Sequence, residues 1–94
     1  MESNVYPFKA NVDCLLSFEG GRAKLAEVTL AEGSPAADRE ISTLGFPRDT
    51  TVVAVLRDEK VVVPRGATTL RVGDEVLVLV TDESEDAVRA LLVG

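Results

Sequence analysis

Two runs, "VVAVL" at 52–56 and "VLVLV" at 76–80, constrain this chain more than any other feature of it. Both consist of β-formers with no polar break, and each is about as long as one strand. A strand with one face in water alternates apolar and polar side chains, whereas a strand apolar at every position is expected where both faces are covered. With "VVV" at 61–63 between them, the runs predict a sheet with more apolar surface than one chain of this length can hide. Neither run approaches the roughly 18 residues of a membrane-spanning helix, so no membrane insertion is expected.

The 94 residues suit one domain, and 46% hydrophobic with 28% charged residues is the composition of a globular fold. Sixteen acidic against ten basic side chains give a net charge of −6, which repels phosphate backbones and argues against a nucleic-acid partner. The opening "MESNVYPFKAN" has neither the basic start nor the apolar stretch of a secretion signal, so a cytoplasmic location is expected. Cys14 stands alone and cannot form an internal disulfide, in keeping with a reducing compartment.

Met1–Asn11 shows no periodicity and is set apart as a disordered stretch, linker or tag remnant, which leaves 12–94 as the domain. Val12, Cys14, Leu16 and Phe18 share one face of a first strand. "EGGR" supplies a glycine turn, after which Ala26, Val28 and Leu30 face inward while Glu27 and Thr29 face solvent or a neighbouring subunit. "ADREISTLGFP" predicts a helix of about two turns, capped by Ser34 or Asp38 and ended by Gly45. Strands follow at 52–56, 61–63 and 76–80, with the "RDEK" turn between the first two. "TDESEDAVRALLVG" predicts a second helix, with Asp82 and Glu85 spaced for a capping box, an apolar stripe of Ala87, Val88, Leu91 and Leu92, and Arg89 exposed. The expected fold is α+β: a small mixed or antiparallel sheet with two short helices, in the order hairpin, helix, hairpin, strand, helix.

No reaction chemistry emerges from these residues, and no enzyme is expected. Without a single histidine, hydrolase triads and HExxH zinc sites have no participants. Cys14 falls at an inward strand position, where a thiol behaves as a small hydrophobe. The carboxylates at 82, 83, 85 and 86 suit a helix start better than a cation site. One pair stands out as a candidate ligand site: Asp38 and Arg39 lie beside the Ser34-Pro35 turn, where a guanidinium and backbone donors can hold a phosphate or carboxylate, or where the pair simply caps a helix and meets solvent.

The ordered pieces "EVTLAEGSP", "VVAVLRDEKVVVP", "LRVGDEVLVLV" and the acidic-capped helix, within Ala23–Leu92, resemble the TrkA-C (RCK C-terminal) domain of TrkA-type potassium uptake regulators. The resemblance implies a regulatory domain of a Trk- or Ktr-type system that works as a homodimer. Its implied partners are a membrane-embedded potassium transporter or channel subunit and a Rossmann-type nucleotide-binding half. The glycine-rich fingerprint of that half is absent from this sequence, so no cofactor is carried over. Some members hold cyclic di-AMP at the dimer seam through Asp-x-Arg followed by an asparagine and an aliphatic residue. This chain departs from that pattern, since Asp38 and Arg39 are adjacent and its asparagines, Asn4 and Asn11, lie upstream. It departs again at Glu59, where relatives often carry glycine and where a charged residue implies a looser turn. The alternative function is a stand-alone sensor of an anion or cyclic dinucleotide.

Overall fold

The computed structural model describes residues 12–18, 20 and 22–94. The region 1–11, expected to be a linker or tag remnant, lies outside them. Among the described residues, five strands form one sheet, antiparallel throughout: β1 (Val12–Phe18), β2 (Ala23–Thr29), β3 (Thr51–Arg57), β4 (Lys60–Val62) and β5 (Glu75–Thr81), in the spatial order β1-β2-β5-β3-β4. The α-helix α1 (Glu85–Leu92) follows β5. The architecture is α+β, as the pattern of runs predicts.

The last strand in sequence sits in the middle of the sheet. β5 is bonded on one side to β2 and on the other to β3, so each of its backbone donors and acceptors has a neighbour to meet. An all-apolar "VLVLV" is the segment best suited to that place. Its even-numbered valines, Val76, Val78 and Val80, are buried together with Val28 of β2 and Val55 of β3. Val88 and Leu92 of α1 and the loop residues Leu30, Ala36, Leu44 and Leu70 complete this single core, all on one face of the sheet.

Among the described residues, the opposite face has no such cover. The register aligns Leu25, Leu79 and Thr51 across it, then Glu27, Leu77 and Ala54, then Thr29, Glu75, Leu56 and Val61. None of these residues belongs to the core or packs against it. Leu25, Leu77, Leu79, Ala54 and Leu56 are half-buried, and Val61 is 65% exposed. The apolar runs are therefore two-sided, and the core formed by the described residues lies on one side only.

Two local expectations are corrected. The segment 38–44 is not a two-turn helix but an extended stretch leading into one 3-10 turn, Ile41–Thr43. Its backbone bonds go sideways to the 66–70 loop instead of along a helix: Asp38 N donates to Leu70 O, Leu70 N to Arg39 O, Ile41 N to Thr68 O and Ser42 N to Gly66 O. Asp38, at φ 64, breaks any helical run at its start. The second correction concerns α1, whose N-cap is Ser84 and not Asp82. Ser84 is buried, and its Oγ accepts from Thr81 N at 2.9 Å, which makes a tight strand-to-helix turn without a capping box. Of the expected apolar stripe, Val88 and Leu92 are buried and Leu91 half-buried, while Ala87 lies exposed beside Arg89.

Candidate functional site

Asp38 and Arg39, the pair singled out in the sequence, are both exposed. Asp38 spends its backbone N–H on Leu70 O at 2.7 Å. Arg39 turns its guanidinium to the end of the 3-10 turn, where Nη2 donates to Thr43 O at 2.7 Å. Ser34 does tie this region down: its Oγ accepts from Ala36 N at 3.1 Å and donates to Leu92 O at 2.6 Å, joining the loop to the end of α1.

A concavity instead opens between the 3-10 turn, the start of β3 and the loop after β4. Ile41, Phe46, Thr50, Thr51, Val52 and Pro64 line it with Arg65 and Gly66, and it holds about 280 Å³. The walls are close because Ser42 N donates to Gly66 O at 2.9 Å, and a Cβ at Gly66 would meet Ser42 Cβ at 3.4 Å. Ile41, Phe46 and Val52 rest against the core, so the floor is firm and apolar. Thr50 Oγ1 is the one buried side-chain oxygen without a hydrogen-bond partner among the described residues. A buried hydroxyl left unpaired costs free energy that a ligand or water can recover. Arg65 is exposed at the rim and brings positive charge to an otherwise acidic chain.

A second polar centre was not singled out in the sequence. Arg57, at the end of β3, forks onto Asp74 with Nε to Oδ1 at 2.8 Å and Nη2 to Oδ2 at 2.7 Å, and Nη2 also donates to Thr69 O at 2.9 Å. Asp74 is 1% exposed and further accepts from Arg71 N at 2.9 Å. Burial alone would raise the Asp74 pKa, but the hydrogen bonds from Arg57 and Arg71 N–H, with the charges of both arginines, hold it below the usual carboxylate range. Arg57 is shifted upward, chiefly through its hydrogen bonds to Asp74. With every oxygen of Asp74 engaged, this centre is a clamp that fastens the 69–74 loop to β3. The only hint in the sequence is that "RDEK" and "VGDE" flank strands that pair, and register alone brings Arg57 to Asp74.

The described residues combine an antiparallel sheet, a core on one of its faces and a largely apolar depression at the start of β3. Residues 25–93 match the model of the TrkA-C domain, and the chain belongs to that family. It is 35% identical over 79 residues to the Trk system potassium uptake protein TrkA of Mycobacterium tuberculosis, a match covering 84% of this chain and 36% of that protein. Among solved structures, the GsuK RCK domain superposes with a TM-score of 0.75 at 18% identity, over 90% of this chain and 19% of that one. A structure described as an RCK domain with cda superposes with a TM-score of 0.60 at 28% identity, over 72% of this chain and 96% of that one. The chain spans little more than a third of the length of the curated relative. No helix among the described residues is long and apolar enough to cross a membrane.

Proposed function

We propose that this chain is a regulatory domain of a Trk- or Ktr-type potassium transport system, acting on the cytoplasmic side through a homodimer and catalysing no reaction. The observation that carries this reading is the concavity at Ile41, Phe46, Val52 and Pro64 with the unpaired Thr50 hydroxyl. At about 280 Å³ and open to solvent it falls just short of the usual range for an enclosing pocket, so a second copy across a two-fold axis would complete it. A ligand bridging two copies converts its own presence into a change of subunit arrangement, which a transporter or channel subunit, or a Rossmann-type regulator half, can read. Membership of the TrkA-C family and the similarity to a TrkA protein support the potassium assignment.

The test is light scattering across micromolar concentrations, combined with thermal melts against nucleotides, cyclic dinucleotides and inorganic anions. A dimer whose melting temperature climbs with ligand concentration is expected. A monomer indifferent to every compound would remove the proposal. The alternative, a stand-alone sensor of an anion or cyclic dinucleotide, rests on the same Thr50 and Arg65 and on the relative described with cda. It predicts the ligand response without any dependence of subunit arrangement on ligand.

Replacing Thr50 with Val separates a ligand contact from a packing role. The variant is expected to melt higher without ligand, by about 1 kcal/mol of added stability, because it removes an unpaired buried hydroxyl. It should also bind the ligand found in the screen about tenfold more weakly, measured by calorimetry.

A further inference from the structure

We infer that the sheet face of β2, β5 and β3 opposite the core, which no other described element covers, is a docking surface for a polypeptide segment that presents apolar side chains together with lysine or arginine. The apolar part follows from Leu25, Leu77, Leu79, Ala54 and Leu56, which lie in adjoining rows and take no part in the core. Contiguous apolar surface of this kind, rimmed by polar groups, marks an interaction site.

The charge decides the occupant. Glu27 and Glu75 stand among those leucines, both half-buried, and the register of β2, β5, β3 and β4 places no lysine or arginine on this face. Lys24 and Arg57 belong to the other side, where they meet Glu85 and Asp74. A partner that covers the face must desolvate two carboxylates, a cost that a paired cation offsets most fully. A second copy docked on this same face would set four carboxylates together with no cation between them, since a two-fold contact repeats one patch. A copy offering arginines from elsewhere would make a head-to-tail contact that does not close on itself. Phosphate-bearing partners carry the wrong sign. The leucines and glutamates of this surface are not among the residues that line the concavity, although Thr51 borders both. The inference draws on residues other than Thr50 and Arg65, and it stands whether or not the proposed function does.

The experiment titrates the isotope-labelled chain with a synthetic amphipathic peptide of about 18 residues, long enough to span the sheet as a helix. One version carries a leucine stripe flanked by arginines, and a matched version has glutamates in their place. The expected result is amide shifts centred on Leu25, Glu27, Leu77 and Leu56, at least about tenfold tighter binding of the arginine peptide, and loss of that margin at high salt. Glu27→Lys combined with Glu75→Lys should reverse the preference. If that variant melts early, Glu27→Gln with Glu75→Gln should reduce the preference without reversing it. Equal affinity for the two peptides, shifts confined to α1 or the concavity, or no binding at millimolar peptide would overturn the inference. So would concentration-dependent protection of the same amides without peptide, which would assign the face to a second copy.

Discussion

Glu59 shows at single-residue scale how a fold tolerates a poor local choice. Asp58 and Glu59 both have positive φ, 53° and 65°, in a two-residue turn that keeps Arg57 paired with Lys60. The turn is thus tight, contrary to the looser one that a charged residue implies, because the β3–β4 pairing imposes the primed geometry whatever the side chain. A left-handed conformation costs a non-glycine residue roughly 1 kcal/mol. Glu59→Gly is therefore expected to stabilise the chain by about 0.5–1 kcal/mol, read as a higher midpoint in urea. Asp74 is the opposite case, a residue whose surroundings leave it no substitute. Asp74→Ala strands the Arg57 guanidinium and is expected to cost about 3 kcal/mol. Because the folded pKa of Asp74 is depressed, its contribution is complete above the ordinary carboxylate value near 4 and fades as pH falls through the lower folded value. Stability of the natural chain minus that of Asp74→Asn should accordingly shrink on acidification below about pH 4, and a constant difference would show that the carboxylate charge does not matter.

Among the elements, α1 has eight residues, too few to persist on propensity, and is held by what it touches. Val88 and Leu92 drive into the core over the β5 valines, and the buried Ser34 hydroxyl holds the carbonyl of Leu92. Leu92→Ala is expected to lose about 3 kcal/mol. Ser34→Ala should cost about 1–2 kcal/mol and raise hydrogen exchange selectively in the last turn of α1. A uniform rise across the sheet would instead indicate that the loop and helix are not separately anchored. The strands were legible from composition, their irregularities were not. Register shifts fall between Cys14 and Leu16 in β1 and between Val52 and Ala54 in β3. In "VVAVL" every position is apolar, so an inserted residue breaks no pattern and leaves no trace. The expected common face of Val12, Cys14, Leu16 and Phe18 involves side chains outside the described residues, but the β1 shift already interrupts simple alternation.

Over the whole molecule, one core serves one side of the sheet, and the excess of apolar side chains read from the sequence reappears as two open surfaces, the concavity and the β2-β5-β3 face. If the concavity is closed by a second copy, mass action makes the melting temperature rise with protein concentration. A midpoint unchanged over a hundredfold dilution range would speak against such closure.

Composition and period were enough for the class of fold, five strands and the helix that follows β5, because these depend on side-chain types that recur along the chain. The family was legible from the order of the same pieces. Which strand lies at the centre, why the 38–44 segment bonds sideways to 66–70, and how Arg57 meets Asp74 were decided only on folding, because each joins residues distant in sequence through backbone register. The concavity belongs to the same category: Ile41, Thr50 and Pro64 share no motif, and the sheet and its loops bring them together.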